Sequence, residues 1–493
     1  MKKVIVVGGG VAGLSAGIYA RRCGFDVTVI ESHSIAGGAC TAWKRNGYLF
    51  EGAMHWLTGS SKKEPVYKLW RCVGALDDDV KIHYNDLYFE YAYKDTPIRI
   101  YRDLDKTEQH WIDISPADKA HIKTLFNYVR KVDKLIMPIF KLKGVKYTKR
   151  FDQPLLLPIL ALIAVRRMKS LSKLSSEEFV GKFSHEGLRD MLKMHAGSGG
   201  HVRYLVLTLA SLARGSGGFP EGGSLPFIMR MVKKLKSMGG DIIFNTKVEQ
   251  VLVENGKAVG VIAGGERLDA DAVIVTADTM AAQHLFDFPL NAPWLERMRS
   301  GTLAVSAVFV SLGINADLRG YPKSFGFKLE EPLKVFSRSH EFLKANNYAN
   351  DPKYSPEGKT AITFIIGGDD YDKWKKTRDE GQYEKEKQRI GDDVVKALIA
   401  QIPEAEGKVE VIDVATPLTY ERYCSSWRGS WMSAMMDGMR PFEYPSVIDG
   451  LSGVYFASHR MLSPGGLPVA LRSGRTAVLY LCRDTKTVFV TEE

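Results

Sequence analysis

Cysteine is scarce in this sequence of 493 residues, and the few cysteines are scattered. There are five, and no two of them form a C-x-x-C pair: Cys23, Cys40, Cys72, Cys424 and Cys482. An odd, dispersed set excludes a disulfide framework and argues for a reducing compartment. The eleven histidines show no ligand spacing, so we expect no metal site. No secretory leader is expected either, because two lysines run directly into an apolar strand, and we therefore expect a cytoplasmic protein.

The sequence also lacks an uninterrupted apolar run long enough to cross a bilayer. Residues 154–165 carry no charge, but a transmembrane helix needs about 20 apolar residues. This run lies inside residues 130–173, which hold twelve basic and two acidic side chains and so most of the net charge of +11. The pattern is typical of a segment that rests on an anionic membrane surface, here the inner face, although a buried helix with a solvated basic neighbour explains it too. Nucleic acid is not expected as a partner, because no recognition motif accompanies the charge.

What is present at the N-terminus is a strand, a glycine turn, a helix and a second strand. Gly8, Gly10 and Gly13 follow a β-branched run, and Glu31 ends the next apolar run. Gly8 permits a tight turn, Gly10 lets a pyrophosphate approach the backbone, and Gly13 lets the helix pack closely. The free N–H groups of the helix favour phosphates, and Glu31 can accept hydrogen bonds from ribose hydroxyls. The spacing predicts a Rossmann-type dinucleotide site formed by Gly8, Gly10, Val11, Ala12, Gly13, Glu31 and Ser32.

A second glycine element favours FAD over NAD as the dinucleotide. Gly37 and Gly38, followed by Ala39, lie too close to Glu31 to begin another Rossmann unit. They would instead place backbone amides along the far side of an extended dinucleotide. Residues 215–218 lack the preceding buried strand and the following acidic residue of a second fingerprint. We therefore expect FAD, no stable NAD(P)H site, and an electron donor or acceptor that the sequence leaves open.

Together with three later segments, these motifs resemble the phytoene desaturase superfamily of FAD enzymes, and most closely its branch with retinol saturases and prolycopene isomerases. The later segments are residues 219–224, residues 416–431 and residues 465–475. The N-terminal part of the resemblance consists of Glu31, Gly37, Gly38, Gly47, Tyr48, Phe50, Glu51, His55 and Gly59. Because the matching segments lie at both ends and in the middle, the resemblance covers most of the chain.

The resemblance implies an α/β fold with two domains, as the chain length also suggests. A Rossmann-type FAD-binding domain would comprise residues 1–86, 214–278 and 450–493. A discontinuous α+β substrate domain, with a mixed or antiparallel sheet and helices, would comprise residues 87–213 and 279–449.

Further cofactor contacts follow from the same resemblance. They are Gly37, Gly38, Ala39, Met54, His55, Val248, Ser458, His459, Gly466, Leu467 and Pro468. Ala39 stands where the family usually has arginine, which leaves more of the pyrophosphate to backbone amides. Ser458 and His459 are alternatives for the ribityl or pyrophosphate contact. The helix that follows Pro468 would direct its N-terminus at the flavin and stabilise its anionic reduced form.

The expected function is FAD-dependent saturation, desaturation or isomerisation of C=C bonds in a long apolar lipid of the isoprenoid, carotenoid or retinoid type. His55 is the candidate for proton transfer, because a histidine can titrate near neutral pH; a purely structural role is its alternative. Two other functions remain open at this stage. One is an amine-oxidase-like flavoenzyme with a polar substrate, and the other is a lipid-binding chaperone on the same scaffold that does no redox chemistry.

Overall fold

A computed structural model describes residues 1–132, 139, 141–149, 176–196, 202–436, 443–463 and 465–492. Most of residues 130–173, on which the expected membrane contact depends, therefore lie outside the described residues. Of the helices in the described part, none combines the length and the apolar character that a membrane crossing requires.

The secondary structure of the described residues alternates between helices and strands. The strands are Lys3–Val7, Asp26–Ile30, Ala42–Arg45, Tyr48–Glu51, Ile82–His83, Leu87–Ala92, Ile98–Tyr101, Phe219–Pro220, Asp241–Ile243, Val248–Glu254, Lys257–Ala263, Glu266–Asp269, Ala272–Val275, Thr302–Val305, Ala307–Ile314, Ser324–Val335, Arg338–Asn347, Thr360–Gly367, Val409–Ala415, Met432–Met435 and Val454–Phe456. The α-helices are Val11–Arg22, Pro65–Cys72, Leu104–Ile114, Lys119–Val132, Ser176–Val180, Glu186–Ala196, Val202–Ala213, Ser224–Ser237, Pro293–Gly301, Tyr371–Asp379, Tyr383–Gln401, Pro417–Cys424 and Leu467–Thr485.

Five strands from both ends and the middle of the chain form one parallel sheet. Their order across the sheet is Val454–Phe456, Ala272–Val275, Lys3–Val7, Asp26–Ile30 and Asp241–Ile243. The central strand is buried on both faces, as its continuous apolar sequence predicts. All five strands fall within the segments assigned from sequence to the FAD-binding domain, and the expected Rossmann-type α/β architecture is confirmed. The domain boundaries themselves stay predictions.

The first helix, Val11–Arg22, lies between this sheet and the C-terminal helix, Leu467–Thr485. Two glycines permit the approach. A Cβ atom on Gly13 would lie 1.9 Å from the carbonyl oxygen of Gly8, and one on Gly474 would lie 2.3 Å from that of Ala12. Both distances are far below van der Waals contact, so no other residue fits at either position without moving a backbone. The helix thus touches the first strand and the C-terminal helix through main-chain atoms.

A seven-stranded mixed sheet forms the second layer. Its order is Val409–Ala415, Ala307–Ile314, Thr360–Gly367, Arg338–Asn347, Ser324–Val335, Leu87–Ala92 and Ile98–Tyr101. One face packs on helices Tyr371–Asp379 and Tyr383–Gln401 through Trp374, Ile390 and Leu398. The opposite face remains open toward the parallel sheet, so the space between the two sheets can hold ligands.

Three local features differ from what the sequence patterns predict. Residues 303–312 read as one strand, but Ser306 separates two strands that belong to different sheets. The hairpin Ser324–Val335 and Arg338–Asn347 was not predicted, because charged residues interrupt its alternation. Ser115 reads as a helix N-cap, yet its hydroxyl donates to Asp118 and a short 3-10 turn precedes helix Lys119–Val132.

Candidate active site

A cavity of about 2090 Å³ lies between the carboxyl ends of the parallel strands and the open face of the seven-stranded sheet. Ordinary small-molecule pockets reach about 1,000 Å³. The space is therefore large enough for a dinucleotide and a second ligand together. At the parallel sheet it is lined by the glycine elements, and at the other end by residues from Val202–Ala213 and from the hairpin 324–347.

The two glycine elements lie against each other at one end of the cavity. Gly8 has φ +102° at the turn, and Gly10 precedes the first helix with no side-chain cap. The N–H of Gly37 donates to the carbonyl oxygen of Gly9 at 2.9 Å. A Cβ on Gly38 would lie 3.7 Å from the Cα of Gly10. Exposed backbone amides and an uncapped helix N-terminus thus face the same space, which is the arrangement that binds phosphates.

Glu31 closes this end of the cavity at the tip of the second strand. Its Oε2 accepts from the N–H of Gly9 at 2.7 Å, and its Oε1 accepts from the N–H of His33 at 2.8 Å. The carboxylate is held by backbone on two sides and leaves its remaining lone pairs toward the cavity, which Ser32 also lines. This fixed orientation suits the predicted contact with a ribose.

A second helix N-terminus opens on the same cavity. Gly466, with φ +127°, precedes the C-terminal helix, and no side chain caps it. Gly466, Leu467 and Pro468 all line the cavity, and a Cβ on Gly466 would meet no atom within 4 Å. Two helix dipoles therefore place positive potential on one elongated space, which fits an extended anionic ligand such as FAD.

Ser458 and His459 both line the cavity. The Ser458 hydroxyl accepts hydrogen bonds from Thr279 Oγ1 and from the N–H of Arg460, each at 2.9 Å, which leaves its own O–H as a donor. His459 Nε2 is buried and has no partner among the described residues. Desolvation, with Arg460 second, lowers the pKa of His459 to about 3, so the ring is neutral. Both groups can therefore contact a cofactor, the hydroxyl as a donor and the imidazole through its free ring nitrogen.

His55 lines the cavity beside an aromatic wall, as the resemblance implies. Its Nδ1 shares a hydrogen bond with Tyr348 Oη at 2.9 Å, and its ring contacts Phe309 and Trp431. Desolvation, followed by the charges of Lys323 and Lys344, lowers the pKa of His55 to about 3. The expectation that His55 titrates near neutral pH is therefore wrong, because the fold removes its imidazole from water. A neutral ring that positions a ligand remains compatible with the geometry.

The other predicted residues divide into those at the cavity and those behind it. Those that line it are Gly8, Gly10, Val11, Ala12, Glu31, Ser32, Gly37, Gly38, Ala39, His55, Val248, Ser458, His459, Gly466, Leu467 and Pro468. Gly13 lies behind it and serves helix packing. The predicted cofactor contact of Met54 is corrected, because its side chain is fully buried in the hydrophobic core and does not line the cavity. The carboxylate of the neighbouring Glu51 accepts from the N–H groups of Met54 and Ser224, while Ala53 and His55, on either side of Met54, line the cavity.

Sequence reasoning missed a buried ion pair at the cavity wall. Arg460 donates from Nε to Asp278 Oδ1 at 2.7 Å and from Nη2 to Asp278 Oδ2 at 2.6 Å. The N–H of Trp427 donates to the same carboxylate. Burial alone raises the pKa of Asp278, but Arg460 outweighs burial and holds it below its usual value. The position of Asp278 just after a parallel strand was the available signal, because ligands collect at carboxyl ends of such strands.

Two cavity lysines were missed as well, and no local pattern marks them. Lys323 and Lys344 belong to the unpredicted hairpin region. Desolvation lowers the pKa of Lys323 to about 7 and that of Lys344 to about 8. Charged residues on a strand usually indicate a solvated face, so only the fold shows that these two point into the cavity. No group of side chains in the described ranges has the composition of a metal site.

The Asp278–Arg460 pair leads to a prediction about stability and pH. Asp278→Asn should lower the free energy of unfolding by about 3–5 kcal/mol near neutral pH, because it leaves Arg460 buried without a counter-charge. The pKa of Asp278 is lower in the folded protein than in the unfolded chain. The stabilisation by the ion pair is therefore fully present above the pKa of about 3.9 in the unfolded chain, and it is lost as the pH falls through the pKa in the folded protein. Urea unfolding at a series of pH values should therefore show that the difference in free energy of unfolding between wild type and variant decreases toward acid pH.

The matched control is Asp269→Asn, which breaks an exposed pair with Arg267. Its cost should be below about 1 kcal/mol. The stabilising role of the buried ion pair would be contradicted if the two variants lost the same free energy of unfolding. It would also be contradicted if the loss in Asp278→Asn did not change with pH.

Comparison with known proteins agrees with this geometry. The family described as flavin-containing amine oxidoreductase matches residues 11–481. The all-trans-retinol 13,14-reductase of Danio rerio is 21% identical over 473 residues, covering 86% of this chain and 76% of that protein. The 1-hydroxycarotenoid 3,4-desaturase of Flavobacterium sp. (strain P99-3) is 23% identical over 500 residues, covering 96% and 98%. A solved oxidoreductase from Methanosarcina mazei has a TM-score of 0.59 at 18% identity, covering 97% and 99%.

The likeness to the solved structure shows the shared fold, and the curated relatives confirm the resemblance to the phytoene desaturase and retinol saturase branch. The cradle of glycines, the two helix N-termini and the free ring nitrogen of His459 fit the FAD that this family binds. Since the family match extends over nearly the whole chain, the protein belongs to the flavin-containing amine oxidoreductase family and is an FAD-dependent oxidoreductase.

Proposed function

We propose that this enzyme changes the saturation or the geometry of C=C bonds in a long apolar lipid of the isoprenoid, carotenoid or retinoid type. The observation that carries the proposal is the second part of the cavity, which continues past His55 between the hairpin 324–347 and helix Val202–Ala213. Its wall includes Trp56, Tyr88, Leu207, Phe342 and Ile365. A polyene has no hydrogen-bonding groups along its chain, so a long apolar wall is what would bind it.

The activities after which two relatives are named support this substrate class, since one is a retinol reductase and the other a carotenoid desaturase. Bound FAD would accept or donate the hydride. The residues of the chain would hold the lipid against the cofactor and exclude water. His55 would orient the lipid or the flavin as a neutral ring, with its Nδ1 fixed by Tyr348.

An amine substrate fits the same cavity poorly. A cationic amine needs a carboxylate that can replace its hydration. The buried acids at the wall already have partners, and the other acids that line the cavity, Glu177, Glu341 and Asp369, are exposed to water. Asp278 pairs with Arg460, Glu64 pairs with Arg214, and Glu31 is held by backbone N–H groups. The two ammonium groups of Lys323 and Lys344 would repel an amine. The electrostatics thus favour the lipid over the polar substrate.

The first test uses the purified protein as isolated. We expect a yellow protein whose visible flavin bands bleach with dithionite. Polyene and alkene lipids should then reoxidise the dithionite-reduced flavin. In a separate measurement a diamine is mixed with the oxidised flavin, because an amine can only donate electrons, and it should reduce the flavin at least about tenfold more slowly than the lipids react, which corresponds to about 1.4 kcal/mol in barrier. Chromatography of the lipid distinguishes saturation from isomerisation, and reduction of the oxidised flavin by a saturated lipid reveals desaturation.

Two outcomes would overturn the proposal. A colourless protein that binds lipid but takes up no FAD would be a chaperone. A flavin that reacts with the diamine and with no lipid would belong to an amine oxidase. A quinone added in parallel shows whether the flavin can react at all when neither substrate works.

A second prediction concerns His55. Because its pKa is lowered to about 3, His55 should be neutral throughout the working range. His55→Asn should therefore leave the shape of the kcat/KM profile between about pH 6 and pH 9 unchanged. The rate should fall by no more than about tenfold, the equivalent of one hydrogen bond. Tyr348→Phe, which removes only the partner hydroxyl, should behave alike. Disappearance of one limb of the profile in His55→Asn would instead make His55 the titrating group.

We further propose that the enzyme meets its lipid at an anionic membrane surface, on the inner face. Support comes from the described end of the basic segment. Residues 141–149 are fixed to the C-terminus, where the N–H of Phe489 donates to the carbonyl oxygen of Lys146 and the N–H of Thr148 donates to that of Phe489. Four exposed lysines project from this short stretch: Lys141, Lys143, Lys146 and Lys149. A rigidly held group of cations is suited to a negatively charged surface.

Co-sedimentation with vesicles tests this contact. Changing the four lysines of residues 141–149 to glutamine should weaken pelleting with anionic vesicles at least about tenfold, because each lysine near such a surface contributes ~1 kcal/mol. The control replaces four exposed lysines elsewhere, Lys375, Lys376, Lys385 and Lys408. Equal pelleting of the two variants, or no pelleting of the wild type, would remove the membrane contact.

A further inference from the structure

Two lysines end in the cavity without a counter-charge. Lys323 directly precedes strand Ser324–Val335, and Lys344 lies in the paired strand Arg338–Asn347. Both side chains are half-buried, and both line the cavity. Throughout the described ranges, no carboxylate lies within ion-pair distance of either ammonium group, and neither Nζ makes a hydrogen bond.

Aromatic rings surround the two ammonium groups instead. Lys323 Nζ lies 3.6 Å from the centroid of the Tyr348 ring and 4.4 Å from that of Phe219. Lys344 Nζ lies 5.3 Å from the centroid of the Phe89 ring. Such faces attract a cation, but they replace its hydration only in part. The rings hold the ammonium groups in place and leave their N–H donors free.

The acids nearest to Lys323 are not available to it. Asp351 and Glu51 act on its charge from a distance only. Asp351 already accepts from the N–H groups of Gly222 and Lys353. Glu51 accepts from three backbone N–H groups and from the hydroxyls of Ser224 and Tyr354. Two desolvated cations without a structural partner do not stabilise the fold, which points to a partner that arrives with the ligand.

The hairpin geometry allows both lysines to reach one group. Lys344 is opposite Gly326, while the N–H of Asn347 donates to the carbonyl oxygen of Lys323 at 2.8 Å. The two positions are therefore three residues apart along the hairpin, or about 10 Å. Side chains three residues apart in a regular strand point to opposite faces, but Lys323 lies just outside its strand, and both lysines line the cavity. Both charges act on the His55 ring, so both ammonium groups lie on the side of the cavity that contains His55.

We propose that the lipid substrate is an acid, and that Lys323 and Lys344 recognise its carboxylate. This inference depends on the proposed function, because it specifies the head group of the same lipid. One carboxylate accepts charge-assisted hydrogen bonds from two ammonium groups. Tyr348 contacts Lys323 through its ring and His55 through its hydroxyl, so the head group would lie near His55 and the apolar chain would extend along the cavity wall.

A phosphate head fits less well, because the three arginines at the wall already have oxygen partners, Arg338 through an ion pair with Asp370 at 3.6 Å. Arg102 donates to the carbonyl oxygens of Ser216 and Gly217, and Arg214 donates to Glu64. The helix N-termini lie at the cofactor end of the cavity. Recognition of a phosphate usually uses a bidentate arginine fork or a group of backbone amides. The two lysines match the single charge of a carboxylate.

The test uses the FAD-loaded enzyme and ligands with one chain and different heads. Geranylgeranoic acid, geranylgeraniol and geranylgeranyl diphosphate are titrated against the flavin absorbance. The acid should bind roughly 10-fold to 100-fold more tightly than the alcohol, as expected for charged hydrogen bonds. Lys323→Met and Lys344→Met should each weaken binding of the acid by about tenfold, and the double variant should bind acid and alcohol equally. Binding of the alcohol should not change.

Lys334→Met is the matched control, because this exposed lysine lies on the same hairpin and does not line the cavity. Folding is checked by flavin content and thermal midpoint. The ligand-free Lys→Met variants should be at least as stable as the wild type, since they lose an unpaired desolvated charge. The acid should raise the midpoint of the wild type and not that of the double variant.

The outcomes separate this inference from the proposed function. Equal affinity of the wild type for acid and alcohol, or a preference that survives in the double variant, would overturn it. Tightest binding of the diphosphate would also overturn it and would assign a phosphate head. If a fully loaded enzyme binds and converts none of the lipids, the proposed function fails as a whole. If the alcohol reacts and the acid has no advantage, only the carboxylate inference fails.

Discussion

The backbone contact of the first helix with its two neighbours is the constraint on which the rest of the structure depends. Gly13 brings the helix onto the first strand, and Gly474 brings the C-terminal helix onto the first helix. Ser15 adds a hydrogen bond to the carbonyl oxygen of Leu471, across 456 positions of sequence. These contacts place two helix N-termini from opposite ends of the chain at one cavity. A side chain at either glycine would move the two helix N-termini apart. The positive potential that they direct at one dinucleotide would then be lost.

The cavity joins two electrostatically different ends. At the cofactor end Glu31 is held by backbone N–H groups and Asp278 by Arg460. At the substrate end Lys323 and Lys344 contact aromatic rings and have no carboxylate partner among the residues that the structure describes. Matched charges keep the geometry of the cofactor end the same whether or not a ligand is present. Unmatched charges gain their stabilisation only from a ligand, so they select it.

The sequence predicts the cofactor end of the cavity better than the substrate end. Gly8, Gly10 and Glu31 were predictable, because a tight turn, a close approach and a strand end leave local signs in the sequence. Asp278 and Arg460 are 182 positions apart, and nothing local indicates that they meet. The neutral state of His55 was mispredicted, since desolvation comes from packing by distant strands. Met54 was assigned to the site as a neighbour in a motif, whereas its side chain packs into the core between Ala53 and His55, which line the cavity.

The hairpin 324–347 shows why substrate recognition is harder to predict than cofactor binding. His340 and Lys344 of its second strand line the cavity at positions that would be apolar in an ordinary core. In the proposed function a ligand would cover them, and alternation is lost where a strand faces a polar group of a ligand. Cofactor contacts that use the backbone tolerate most side-chain changes, so relatives near 20% identity can keep them. Recognition of the proposed lipid would depend on side chains of the hairpin, which can change without disturbing the parallel sheet, and one scaffold could thereby serve several lipids.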